Sequence, residues 1–280
     1  MFLPAREPFE LELGWLRSQA FRWLEREGWY YGVVNGHLIK VRQYEDGIEF
    51  RANVVGEVIK PQVESYFRLY QDIRPVHEAL RQVDPTLSRL VDRYGAMRLL
   101  RQDPWECLIS YVCSQNNSID RISGIVDLLA NCYGDPLVLD GVRLNSFPSP
   151  RCLVEVGNAE LDGLKLGLHR GSRIYQLARA VTEGDLDLAT LSHLAYEQAK
   201  DRLMSYDGIG PKIADCVCLF SLDKPEAFPV DRHIGAALRE QYGKKYTSGA
   251  RNTRLLEWAR DYFGAHAGYA GQLLFYEQLN

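Results

Sequence analysis

The stretch Gly208-Ile209-Gly210-Pro211-Lys212, set between two helical patterns and followed by Pro229-Val230-Asp231, constrains this chain most. Tyr196, Ala199, Leu203 and Met204 recur at helical spacing over 196–206, and a second helical run extends from Pro211 through Phe220. Pro211 suits the first position of a helix, where its nitrogen owes no hydrogen bond, and Gly208 and Gly210 let the backbone turn before it. The start of the second helix then presents unpaired N–H groups backed by the positive end of the helix dipole, a place to hold a DNA phosphate. For Gly-x-Gly taken alone, an ordinary corner between two helices is the better account.

Lys212 adds chemistry to that turn. A cation in the first turn of a helix meets like charge from the dipole, so it sits there at a small cost in stability. The same repulsion, with any desolvation, favours the neutral amine that a nucleophile needs. A solvated lysine at a helix start is the plainer alternative. Cys216, four residues on, shares roughly the lysine's face, with Asp215 at three. Asp231 follows Pro229 and precedes the helical run Ile234, Ala237, Leu238, so it reads as an N-cap. A capping carboxylate can also face a cleft and stabilise a developing cation.

The rest of the chain predicts an α+β protein. Short apolar and aromatic runs over 9–60 are separated by Glu27-Gly28, Asn35-Gly36 and Asp46-Gly47, and Asn35-Gly36 is the strongest hairpin signal. We therefore expect an antiparallel β-sheet domain over 1–88 and a mostly helical domain over 89–280, with the helix-turn-helix at about 196–220. Asp103-Pro104, Ser118 and Ser149-Pro150 mark helix starts, further helices are expected over 171–181 and 254–263, and 134–150 reads as a surface loop.

Composition bounds the function. A net charge of -4 excludes a protein that coats nucleic acid through overall charge, and leaves room for a local positive groove. Arg170, Arg173, Arg232 and Lys244-Lys245 are candidates for that groove, although a solvated surface is the better explanation of each taken alone. The six cysteines, at 107, 113, 132, 152, 216 and 218, show no metal-type clustering, and most read as reduced core residues. Met1-Phe2-Leu3-Pro4 opens no signal peptide and no run is long enough to span a membrane, so an intracellular protein is expected.

Ile209-Gly210-Pro211-Lys212-Ile213-Ala214-Asp215-Cys216, then Asp223-Lys224-Pro225 and Pro229-Val230-Asp231-Arg232-His233, resemble the helix-hairpin-helix DNA glycosylases and, within them, the 8-oxoguanine DNA glycosylase family. The likeness extends to Ser18-Gln19-Ala20-Phe21-Arg22-Trp23, to 101–121, 166–170 and 268–275, in the same order along nearly the whole chain. It implies a bifunctional DNA glycosylase and abasic-site lyase of base-excision repair. Such an enzyme flips 8-oxoguanine, and its ring-opened formamidopyrimidine form, out of duplex DNA opposite cytosine. Lys212 would be the nucleophile that forms a Schiff base and Asp231 its catalytic partner. Phe275 and Cys216 would sandwich the base, with Ser18 at the position whose carbonyl accepts from N7–H. Asn116 and Arg121 would read the orphaned cytosine. Arg170, His233, Gly208 and Gly210 would contact the DNA backbone or the flipped strand.

Three departures stand out: Ser18 for a usual glycine, Gly271 for a glutamine that binds the base's pairing edge, and Tyr206-Asp207 for a usual Leu-Pro. No cysteine follows Cys218, so the four-cysteine iron–sulfur cluster of other members of the superfamily is not expected. The resemblance implies no cofactor beyond a structural monovalent cation at the hairpin, and a DNA-associated monomer in the nucleoid or nucleus. A monofunctional alkylpurine glycosylase and a non-catalytic DNA-damage binding module are the alternatives.

Overall fold

The computed structural model describes the chain except for residues 45, 165, 168, 244–251 and 280, and except for the side chains of 13, 252–254 and 279. Five antiparallel strands form a sheet in the order β1 (Phe2–Pro4), β5 (Gly47–Ala52), β4 (His37–Tyr44), β3 (Trp29–Val34), β2 (Leu24–Arg26). Helix α1 (Leu13–Gln19) lies between β1 and β2 in sequence. Asn35 and Gly36 take φ of 48° and 79°, the left-handed pair a two-residue hairpin needs, and Val34 pairs with His37 across the turn.

Helices follow: α2 (Gly56–Phe67), α3 (Arg74–Val83), α4 (Pro85–Tyr94), α5 (Pro104–Cys113) and α6 (Ile119–Tyr133). After α6 comes a second, two-stranded sheet of β6 (Pro136–Leu139) and β7 (Val142–Asn145). The remainder is helical: α7 (Pro150–Val156), α8 (Asn158–Gly163), α9 (Arg170–Thr182), α10 (Leu188–Leu191), α11 (Tyr196–Met204), α12 (Pro211–Ser221) and α13 (Arg232–Tyr242). Helices α14 (Asn252–Phe263) and α15 (Ala267–Leu279) complete it. The N-caps predicted at Asp103, Ser118 and Ser149 form, each side chain accepting from the N–H three residues on.

The expected loop over 134–150 is instead this β6–β7 hairpin. Asp140 and Gly141 turn it with φ of 47° and 79°, and its Leu139 and Val142 pack on Tyr31 and Leu38. The hairpin covers one face of the large sheet while the core covers the other. That is why Leu38, Ile39, Lys40 and Val41 are buried in succession instead of alternating. Lys40 is accommodated there by an ion pair to Asp140 at 2.7 Å and by the Trp29 ring, 4.3 Å from its Nζ.

The division expected at residue 88 falls inside α4, and a single core cluster runs from Leu3 to Tyr276. Helix α4 is clasped to α15: Arg89 and Arg93 reach Glu277 at 2.7 and 3.0 Å, and the Tyr94 hydroxyl donates to the same carboxylate at 2.7 Å. Helix α5 runs through the middle, buried from Cys107 to Cys113, and Tyr111 stacks on Phe220 of α12 with centroids 5.6 Å apart. This packing sets the loop after α5 against the first turn of α12.

Candidate active site

Helix α12 starts as the sequence predicts. Gly208 has φ of 82°, Gly210 is the N-cap and Pro211 occupies the first turn. The N–H groups of Gly210, Lys212 and Ile213 find no acceptor among the described residues. The two glycines serve different ends. A Cβ on Gly208 would lie 2.5 Å from Cδ of Arg173, whereas one on Gly210 would meet nothing within 4 Å. Gly208 answers to the fold, and Gly210 leaves the approach to the helix start open. Tyr206-Asp207 stiffens the turn through Tyr206 donating to the Asp185 carbonyl at 3.1 Å and Asp207 pairing with Arg173 at 3.4 Å. Behind it, the buried ion pair of Lys200 with Asp215 at 2.9 Å ties α11 to α12.

A cavity of about 860 Å³ opens beside that helix start. Eight of the predicted site residues line it: Ser18, Asn116, Gly210, Lys212, Cys216, Asp231, His233 and Phe275. Lys212 Nζ donates to Ser114 Oγ at 3.2 Å and sits 5.1 Å over the Tyr111 ring. No ion pair joins Lys212 to Asp231 among the described residues, so the two face the cavity independently. Asp231 caps α13 as expected, its Oδ1 accepting from the N–H of His233 and of Ile234, each at 2.9 Å. Its Oδ2 accepts nothing among the described residues. The cap therefore engages one oxygen of the carboxylate and leaves the other free of partners among the described residues.

Burial pushes the Cys216 thiol up to about 12, against a downward pull from Lys212, so the cavity wall carries a neutral, polarisable sulfur. The ring of Phe275 meets His233 edge-on at 6.0 Å, and the Arg232 Nε donates to His233 Nε2 at 3.1 Å. Ser18 turns its hydroxyl back on its own helix, donating to the Trp15 carbonyl at 2.8 Å. Its neighbour Gln19 is buried and satisfied at both ends, donating to the Arg98 carbonyl at 2.9 Å and accepting from the Leu100 N–H at 2.8 Å. That anchor fixes where Ser18 stands.

Three predicted residues lie off the cavity wall. Gly208 is in the turn behind it, and Arg121 is exposed on the first turn of α6, its guanidinium unpaired among the described residues. Arg170, expected at the DNA backbone or the flipped strand, is only 3% exposed, and its two terminal nitrogens donate to the carbonyls of Leu166 and Gln115, so in this structure it braces the Asn116 loop from inside. Lys244-Lys245 lies outside the described residues.

Gln272 was absent from the sequence-based set. It lines the cavity, is 8% exposed, and its Oε1 has no hydrogen-bond donor among the described residues. Gly271, one residue earlier, is pressed against Phe228, where a Cβ would sit 3.0 Å from the ring. Positions three and four before Phe275 both neighbour it on a helix, so a glutamine missing at one could be supplied from the other.

A helix start open to phosphate, an amine in its first turn and a capping carboxylate around one deep cavity define the class, a helix-hairpin-helix DNA glycosylase. Residues 1–108 match the family model for the 8-oxoguanine DNA glycosylase N-terminal domain. The chain is 29% identical over 286 residues to N-glycosylase/DNA lyase OGG1 of Arabidopsis thaliana, covering 96% of this chain and 77% of that one. It superposes on MBOgg1, solved with a low-affinity DNA ligand, at TM-score 0.91 and 31% identity, over 99% of this chain and 94% of that one. It superposes on the Clostridium acetobutylicum 8-oxoguanine glycosylase/lyase, solved with duplex DNA containing cytosine opposite 8-oxoguanine, at TM-score 0.89 and 29% identity, over 99% and 97% of the two chains. This chain belongs to the 8-oxoguanine DNA glycosylase family. No helix among the described residues is long and apolar enough to cross a membrane.

Proposed function

We propose that this protein is a bifunctional DNA glycosylase and abasic-site lyase that removes 8-oxoguanine, and its ring-opened formamidopyrimidine form, from duplex DNA opposite cytosine. One observation carries the reading: the Lys212 amine and the Asp231 carboxylate share a cavity whose size suits a flipped nucleotide. The bond to be cut lies beside the stacked duplex, so the damaged nucleotide must rotate into that cavity before it can react.

Neutral Lys212 Nζ then attacks C1′, the C1′–N9 bond breaks, and the base leaves with the bonding electrons and takes up a proton. The sugar ring opens to a protonated Schiff base. Loss of a C2′ proton expels the 3′ phosphate and nicks the strand. Asp231 Oδ2 stabilises the positive charge that develops at C1′. The Cys216 sulfur and the Phe275 ring hold the base between them. Gln272 Oε1, a buried acceptor with no donor among the described residues, supplies the contact to guanine's N1–H or exocyclic amino group that Gly271 cannot make. The Ser18 carbonyl accepts from N7–H, the atom that distinguishes the oxidised base.

Asn116 fills the space the base vacates, and Arg121 donates to the acceptor edge of cytosine. The open N–H groups at Gly210 and Lys212 hold a phosphate, with His233 beside them. These residues need no cofactor for the reaction, and the protein is proposed to act as a monomer. The protein should be incubated with labelled duplexes in the presence of borohydride. A covalent adduct is expected with the intact protein and none with Lys212→Gln. An undiminished adduct in that variant would refute the lysine mechanism, and base release without strand cleavage would favour a monofunctional glycosylase.

A further inference from the structure

The three residues that follow α5 face three different ways. Ser114 Oγ accepts from Lys212 Nζ at 3.2 Å. Asn116, with φ of 55°, is exposed at the tip of the loop and lines the cavity. Between them, Gln115 commits both ends of its side-chain amide to the hairpin side. Its Nε2 donates to the Gly208 carbonyl at 2.7 Å, and its Oε1 accepts from Arg173 Nη1 at 3.2 Å. Arg173 reaches Asp207 and packs against Gly208, while Arg170 braces the Gln115 carbonyl from the interior. The loop that carries Asn116 and the turn that carries Lys212 lie far apart in sequence, and this amide joins the loop to the backbone of the turn, beside the direct contact of Ser114 with Lys212.

From this geometry we infer that Gln115 is a positioning residue that couples recognition of the base opposite the lesion to the delivery of Lys212. The inference rests on the function proposed above. When the opposite base satisfies Asn116 the loop is held in one arrangement, and the amide clasp holds Gly208, and with it the first turn of α12, in the matching one. A mismatched opposite base leaves the loop unsatisfied and gives the turn no such support. Coupling of this kind is a free energy shared between two sites, so it is read as a change in a ratio of rates.

The test is single-turnover excision of 8-oxoguanine opposite cytosine and opposite adenine, with duplex affinity and thermal midpoint measured alongside. Variants are Gln115→Met, which keeps the length of the side chain and removes its hydrogen bonds, and Arg173→Ala, which releases the clasp from its far side. In each, the rate opposite cytosine is expected to fall at least roughly tenfold, the scale of losing a single hydrogen bond of the clasp. The rate opposite adenine and the duplex affinity stay within about twofold, so the cytosine preference collapses. Equal losses on both duplexes, no loss on either, or an intact protein with no preference between the two would overturn the coupling and leave the excision reading intact. Absence of excision by the intact protein would overturn both.

Discussion

Asp231 caps α13, and its proposed catalytic role can be pulled apart from that cap by substitution. Asp231→Asn retains an oxygen able to accept from His233 and Ile234, each now 2.9 Å from Oδ1, and removes the charge. The charge at the start of α13 is worth about 0.3–1 kcal/mol through the helix dipole, a few degrees of thermal midpoint at most in a chain of this size. At the cavity the same charge counts for more. A carboxylate about 4 Å from a cationic sugar carbon, at an effective dielectric of ~20, contributes about 4 kcal/mol, or roughly a thousandfold in rate. Asp231→Ala loses the charge and the cap together, costing about 1 kcal/mol of stability beyond the asparagine variant. Single-turnover base excision and calorimetry on the three proteins give the comparison. The asparagine variant should excise about a thousandfold more slowly while its melting point stays within a few degrees of the parent. Near-parental excision in it, or a loss of activity that tracks melting across both variants, would show that the carboxylate matters only as a cap.

The two hairpin glycines should respond in opposite ways. Gly208→Ala is expected to lower the melting point, because φ of 82° is strained for alanine and its Cβ would press on Arg173. Gly210→Ala should leave melting nearly unchanged and weaken duplex binding, read by fluorescence anisotropy, because its Cβ meets only the space a phosphate would fill; equal melting losses at the two sites would contradict this. Acid stability should carry the mark of His77. Burial first, then Arg98 and Arg81, hold its imidazole down at about 4 from an ordinary 6.5. A base harder to protonate in the fold than in the unfolded chain stabilises fully above about 6.5, and that contribution is lost as the pH falls toward 4. The shift corresponds to about 3 kcal/mol, which screening at a half-exposed site reduces to about 1. Thermal midpoints of His77→Leu should therefore fall less steeply between pH 6.5 and 4 than those of the parent, and parallel slopes would sink the argument.

What could be read from the sequence was whatever short-range chemistry decides. Asn35-Gly36, Asp103-Pro104, Ser118 and Ser149-Pro150 each act within three or four residues, and each formed as expected. The β6–β7 hairpin carried a comparable signal in Asp140-Gly141 between Leu139 and Val142, but its short strands gain their apolar partners only from Tyr31 and Leu38, far away in sequence. The site divides along the same line. Lys212, Asp231 and Cys216 belong to a turn and two helix starts, and the structure brings them to one cavity. Arg170 and Gln272 depend on which way a helix faces after packing. Arg170 turned inward to two carbonyls, while Gln272 turned toward the cavity beside a glycine pinned against Phe228.

The clasp between α4 and α15 holds one wall of the cavity from a distance. Ser18 reaches the cavity from α1, whereas Gln272 and Phe275 reach it from α15, which Arg89 and Arg93 hold in place through Glu277. The walls thus come from helices far apart in sequence, and no run of neighbouring residues builds the pocket by itself. Loosening the contacts to Glu277 would shift the wall that carries Phe275 while leaving the helix start that carries Lys212 where it is, so the shape of the pocket answers to three side chains that never touch it.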